Sequence, residues 1–383
     1  MQFSAPLRHY RALGVLLSII LWVPQLHAQD STRLAFRISQ LMDKGALLID
    51  KGLYQKALEQ FEEVLKLDST YKDAHYERAL AYYYMEDFAQ AIAITQASWA
   101  LGHVHEDDII LIANSFDYLN QLDSALYYYE LGLDSFPQAA SFMVEAAIAC
   151  MGTRLDSLEE AYLLRALVAD PTYSRTYASL AGDMQGKQNE VWAVIYAEMY
   201  LVLAPSGEHT EAMRQILFDT YKHNVAFAGD GRATISFASG PVNTSRSASA
   251  ELPFGIPFES ALVAGAAGLK SYANQGNSLK QRRTHPGLLD LVAMRVAFTE
   301  AWFQAEYHEA FPNVLFQFHQ ELQQAGHLEA YTYWLFRHGD PVTFSQWQSQ
   351  NKEAYDDFVD YFNQHSPEYT VDNILVHRPL PGQ

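Results

Sequence analysis

Apolar positions along this chain follow two different patterns. Leu13 to Val23 is a continuous apolar run, preceded by Arg8 and Arg11 and broken by Pro24. From about residue 38 onward the apolar residues instead recur at helical spacing, as in Leu58, Phe61 and Leu65, which predicts one-sided helices. Small residues add a longer rhythm. Gly45, Ala79, Ala113, Ala147 and Ala181 follow one another at a constant interval. Ala57, Ala91, Ala125 and Ala193 keep the same step, interrupted by Glu159. Pro137, Pro171 and Pro205 form a third comb whose earlier members are Ser69 and His103, and Phe61 and Tyr129 share a further column. A fixed period of this length predicts stacked units, none of which buries its apolar face alone. Each unit reads as two antiparallel helices. Small residues let the helices approach closely, Gly52 or the pair Glu86-Asp87 marks the turn between them, and proline ends the second helix. Met213, Ile216, Leu217 and Tyr221 predict one further amphipathic helix, 208–222, capping the last unit.

These combs resemble the tetratricopeptide repeat. In that register the repeats are 38–71, 72–105, 106–139, 140–173 and 174–207, after a lead-in at 29–37. The fourth departs most, with Glu159 in place of the expected Ala and Cys150 at a usual aromatic position. The resemblance implies that the first helix of each unit lines a concave groove. The family's groove positions map in part to Asp73, Tyr76, Tyr83, Tyr84, Asp107, Asn114, Asp117, Tyr118, Arg175 and Gln185. That lining is acidic and rich in tyrosine, which suits a basic or amide-rich segment of a protein or peptide partner. A second reading has the tyrosines filling ordinary helix contacts. Relatives that clamp a C-terminal carboxylate use Lys, Arg and Asn at places held here by Met42, Ala46 and Glu77, so carboxylate clamping is not expected.

The first apolar run has the form of a secretory signal: a basic start, about 11 apolar residues and a small-residue exit at Leu26-His27-Ala28. Residues 1–28 are therefore expected to be removed. The run is too short to span a bilayer, which takes about 20 apolar residues, and no cysteine follows it for lipid attachment. The expected location is the periplasm or cell envelope, with secretion as the alternative. In a eukaryotic secretory setting, Asn243-Thr-Ser245 would be a glycosylation acceptor.

Composition shifts at 223–257, which contains Gly-Asp-Gly, Ser-Gly-Pro and a Ser-rich run. This predicts an irregular linker, with Ala233–Phe237 as a short strand or hairpin and Leu252–Phe258 as an extended connector. Helical patterns resume near Phe258–Tyr272 and continue over 287–311, 313–326, 328–338 and 344–364. Gly326 and Gly339 act as stop signals, and Pro312 and Pro341 as starts. From Phe298 to Tyr369 one position in four is aromatic, against 13% for the whole chain, which argues for a packed helical core in 258–383. No family is recognised for 223–383. The fold class is all-α: about five helix-turn-helix repeats, a cap, a linker that is irregular or hairpin-like, and a second helical region.

Charge narrows the partners. The formal net charge is −19. Residues 29–222 carry −15 and 223–383 carry −6, with Arg8 and Arg11 making up the difference. So acidic a chain is not expected to bind nucleic acid. Lys280, Arg282 and Arg283 form its one basic cluster, read as a solvated loop or as a contact for an anionic partner. One cysteine excludes an intramolecular disulfide and any multi-cysteine zinc site. Cys150 reads as a buried, inert thiol. His308-Glu309 lacks a second His at metal-site spacing; His319 and His327 read as surface or interfacial. Neither a nucleophile elbow nor a phosphate loop nor a dinucleotide fingerprint occurs. The expectation is a binding scaffold, not an enzyme, with no metal or cofactor. Two alternatives stand: an enzyme in the C-terminal region around His285, His308, His319 and Trp334, or a structural subunit of an envelope assembly.

Overall fold

A computed structural model describes residues 32–102, 104–227, 233–237, 254–273 and 285–380. The expected signal segment, Asn243 and the Lys280–Arg283 cluster lie outside the described residues, as does most of the Ser-rich linker. The chain divides into two compact units, one ending at Phe136 and one beginning at Pro137. The described residues are overwhelmingly helical, with a single short hairpin.

The first unit holds α1 (32–50), α2 (Tyr54–Leu67), α3 (Lys72–Tyr84), α4 (Phe88–Ala100), α5 (Glu106–Tyr118) and α6 (Leu122–Ser135). From α2 to α6, successive helices pack on one another. The alanines of both combs are what permits this: Ala57, Ala79, Ala91, Ala113 and Ala125 are completely buried. Gly45 shows how close the approach is. A Cβ there would overlap the ring of Phe61, which has no exposed surface. Ile38 and Leu41 of α1 join Ala57, Phe61, Val64 and Ala74 in one cluster. Asp87 caps α4 by accepting from Gln90 N at 3.2 Å.

The second unit opens with α7 (Ala140–Cys150), α8 (Asp156–Ala169), α9 (Ser174–Gly186), α10 (Glu190–Leu203) and α11 (Thr210–Asn224). The period read from the sequence is visible in the helix starts. Second helices begin at Tyr54, Phe88, Leu122, Asp156 and Glu190, and first helices at Lys72, Glu106, Ala140 and Ser174, all in the same constant step. The turns inside four of these pairs place Gly52, Glu86, Asn120 or Gln188 in the left-handed region, again at multiples of that step. The pair α7–α8 differs: α7 is two residues shorter than α3, α5 and α9, and its turn is longer, with Gly152 left-handed. The two changes compensate, so α8 still starts in phase.

After α11 the strand β1 (Val225–Phe227) pairs antiparallel with β2 (Ala233–Ile235), in the register Val225 opposite Ile235. This is the hairpin expected in the linker. Helices α12 (Gly255–Ala273), α13 (Leu288–Gln304), α14 (Tyr307–Ala310), α15 (Val314–Gln324), α16 (Leu328–Phe336), α17 (Pro341–Gln350) and α18 (Lys352–Gln364) follow, then a non-helical tail over 365–380. Two details differ from the sequence reading. The second half of Leu252–Phe258 is already helical, with Pro257 accommodated in the first turn of α12, where no N–H is needed. The helix expected over 287–311 is broken at Glu306, whose backbone is left-handed, giving α13 and the short α14. Asn313 caps α15 by accepting from Phe316 N at 2.8 Å. Asp340 caps α17 by accepting from Thr343 N at 3.0 Å. The aromatic excess forms a core as expected, with Trp302 against Phe316 at 4.8 Å and Phe258 against Phe298 at 5.2 Å between ring centres. No helix among the described residues is long and apolar enough to cross a membrane.

Candidate functional site

Eight of the ten expected groove residues belong to the first unit, on α3 and α5. Burial pushes the Tyr76 hydroxyl well above its usual value, reinforced by Asp107, Glu77, Tyr84 and Asp108. Glu77 is raised by burial and then by Asp73 and Asp50. Asp73, Tyr76, Tyr84 and Asp107 therefore share one acidic neighbourhood, with Glu77 and Asp50 as members the sequence reading left out. A partly desolvated cluster of like charges is stabilised by an incoming cation. Asp117 is also raised by burial.

An aromatic patch belongs to the same two helices and their turns. Tyr84 stacks on Tyr54 at 5.5 Å and meets Tyr83 at 5.9 Å. Tyr83 meets Tyr118 edge-on at 5.6 Å and Phe88 at 5.5 Å, and Phe88 stacks on Tyr118 at 4.9 Å. Tyr84 and Tyr118 remain 46% and 60% exposed, so their faces are available to a partner. Tyr54 and Phe88 were missed because they begin the second helices of their pairs, outside the family's groove positions. Asn114 behaves differently: its side-chain oxygen accepts from the Tyr129 hydroxyl on α6, so it ties a helix pair together.

The remaining two expected residues are in the second unit, where they are not grouped with each other by any bond. Arg175 pairs with Glu145, joining α9 to α7. Gln185 is exposed near the end of α9.

The strongest polar arrangement of the second unit was not anticipated. Glu198 of α10 is buried, and both its oxygens accept from Arg295 of α13 at 2.6 Å. Its Oε1 also accepts from His319 Nε2 of α15 at 2.8 Å and from the Tyr331 hydroxyl of α16 at 2.9 Å. Arg295 donates further to the Tyr221 hydroxyl of α11 at 3.0 Å. Burial alone would raise the Glu198 carboxyl; Arg295, His319 and Tyr331 instead hold it down to about 2. Burial lowers the His319 imidazole, so it is neutral and donates from Nε2. His319 is thus a core residue, not the surface or interfacial histidine expected. Glutamate and arginine cancel in charge; four helices meet at one carboxylate, and α11 joins them through Arg295. The only sequence signal was Glu198 itself, a charge inside the apolar run of α10.

A second cluster fixes the tail. His377 N donates to the Tyr196 hydroxyl at 3.0 Å, that hydroxyl bonds Nδ1 at 2.7 Å, and Nε2 donates to Glu160 Oε1 at 2.6 Å. A neutral imidazole satisfies both ring bonds, and burial lowers its proton affinity despite Glu160. Arg378 pairs with the other Glu160 oxygen at 2.9 Å. Tyr369 lies edge-on to Tyr177 at 5.9 Å. Next to this cluster, Glu159 is buried where the other repeats carry Ala; burial, then Asp183, raises its carboxyl. Cys150 is buried, as expected. Among the described residues no group of three or more His, Cys, Asp or Glu could hold a metal ion.

Helix pairs repeating in a constant step, with small residues at their crossings, define an all-α helical-repeat architecture that resembles the tetratricopeptide repeat. The family described as TPR repeat matches residues 45–85, and over that segment the resemblance holds in sequence as well as in helix geometry. Similar solved structures include YrrB, a TPR protein described as having an unusual peptide-binding site, at 15% identity. The match covers 46% of this chain and 90% of that one, with a TM-score of 0.33. PilW, described as a type IV pilus biogenesis factor, is 18% identical over 48% of this chain and 84% of its own, with a TM-score of 0.40. The C-terminal part of a TPR repeat-containing protein from Cytophaga hutchinsonii is 11% identical. It covers 82% of this chain and 98% of its own, with a TM-score of 0.39. No curated protein matches the chain.

Proposed function

We propose that this protein is an exported scaffold that binds a basic protein or peptide segment on the α3–α5 face of its first unit. The observation that carries the reading is the conjunction on those helices. The carboxylates of Asp107 and Glu77 act on Tyr76, and Asp73 acts on Glu77, beside the partly exposed rings of Tyr83, Tyr84 and Tyr118. Lysine or arginine of the partner would meet the carboxylates, and its apolar or guanidinium faces would stack on tyrosine. Asp117 and Asn114 complete the proposed set of contact residues on this face. Export rests on the leader read at 1–28.

The test is affinity capture from the source cell with wild-type protein and a Tyr83→Ala, Asp117→Ala variant. Loss of a specific partner from the variant supports the site, and retention of every partner removes it. An Asp73→Asn, Asp107→Asn variant should weaken capture and flatten its salt dependence. Cell fractionation with N-terminal sequencing tests export, the expected first residue being Gln29.

A further inference from the structure

Between α13 and the α15–α16 turn lies a cavity of about 360 Å³, at the small end of the range for ligand sites. Its floor is apolar and buried: Val292, Ala293 and Leu328. Val296 and Ala297 form the partly exposed wall. Two carboxylates stand at the mouth, Glu300 from α13 and Glu329 from the first turn of α16, both solvent-exposed. Gln323 donates to Glu300 Oε1 at 3.2 Å, which orients that carboxylate and leaves its other oxygen for a ligand. Gly326 makes the turn between α15 and α16 beside the cavity, its φ of +81° lying in the left-handed region that favours glycine. No lysine or arginine lines the cavity among the described residues. An apolar floor beneath two unneutralised carboxylates fits a molecule with a hydrocarbon body and a cationic end.

We propose that this cavity binds a small primary alkylammonium compound, with the alkyl chain on Val292, Ala293 and Leu328 and the ammonium between Glu300 and Glu329. Apolar burial supplies the affinity, and the two carboxylates select the charge. The assignment is independent of the α3–α5 face and neither needs nor predicts a protein partner there.

Titration calorimetry on the full chain tests it with three probes of equal chain length: hexylamine, hexan-1-ol and hexanoate. Hexylamine should bind saturably, about two- to thirtyfold tighter than hexan-1-ol, the range two exposed ion pairs allow, and hexanoate should bind weakest. Glu300→Gln with Glu329→Gln should bring hexylamine to the level of hexan-1-ol. Val296→Trp should abolish binding of both, with circular dichroism and thermal melting confirming the fold of each variant. Because Glu300, Glu329 and Val296 have exposed surface, these changes should leave the core intact. Equal binding of amine and alcohol, a preference for hexanoate, absence of saturable binding by hexylamine, or binding that survives Val296→Trp would each overturn the proposal.

Discussion

Gly45 and Glu198 show two ways in which one side chain sets the packing around it. At Gly45, helix propensity alone favours alanine by about 1 kcal/mol. The Phe61 ring, however, occupies the place a methyl would take and has nowhere to retreat. Overpacking of this kind costs roughly 1–3 kcal/mol, so it should win. Gly45→Ala is expected to destabilise the first unit by about 1 kcal/mol in denaturant unfolding, the difference between those two effects. Phe61→Leu in the same chain should recover part of the loss. At Glu198 the balance is electrostatic. Removing the carboxylate leaves Arg295 charged and buried, for which about 3–5 kcal/mol is the usual cost of breaking such a pair. Glu198→Leu should therefore be much more damaging than Glu198→Leu combined with Arg295→Met, which removes both charges. A double variant as unstable as the single one would show that the damage comes from lost packing and not from the stranded guanidinium.

Among the elements, the pair α7–α8 is where the repeat deviates, and the deviation was partly legible. Three combs of small residues and proline are a local, periodic signal, and they recover helix pairs because every unit repeats the same contact. Glu159 interrupts the alanine comb, and the structure buries it beside Asp183. A carboxyl raised by burial is protonated at low pH and is ionised at a cost once pH passes its elevated value. Its penalty thus grows as pH rises above the ordinary 4.5. Glu159→Gln keeps the volume and removes the ionisation. The variant should match wild type near pH 4, below the ordinary value, and exceed it above neutrality, by about 1.4 kcal/mol for each tenfold change in proton affinity. Equal pH profiles for the two proteins would show that Glu159 is not a strained acid. The Glu198 network was not legible at this scale for a plain reason. Its members Arg295 and His319 lie 97 and 121 residues from Glu198, on helices whose own patterns are apolar, and no local rule connects them. The acidic side of the α3–α5 face, in contrast, could be read in outline, because Asp73 and Asp107 sit on the repeat itself. Glu77, Asp50, Tyr54 and Phe88 had to come from the structure.

Over the whole molecule, the two units should answer acid in opposite directions. In the first unit, Glu77 and Asp117 are raised by burial. Native protein then binds more protons than unfolded chain, and stability rises as pH falls toward 4.5. Glu63 and Asp68 are lowered, but both are fully exposed, where solvent and salt mute the effect. In the second unit His319 and His377 are lowered by burial. The unfolded chain takes up their protons first, so stability is lost as pH drops below the ordinary 6.5. Glu198, held down by Arg295 and His319 against its burial, extends that loss below 4.5 toward about 2. Glu159 works the other way, so the comparison is cleanest in the Glu159→Gln chain. Hydrogen exchange followed by peptide mass, between pH 7 and 5 and corrected for intrinsic rates, resolves the units separately. Protection in α3–α5 should hold or increase, while α10, α13, α15, α16 and the tail around His377 should loosen. Should α3–α5 open first, the carboxylates of that face are not desolvated, and the electrostatic basis of the proposed binding surface falls with them.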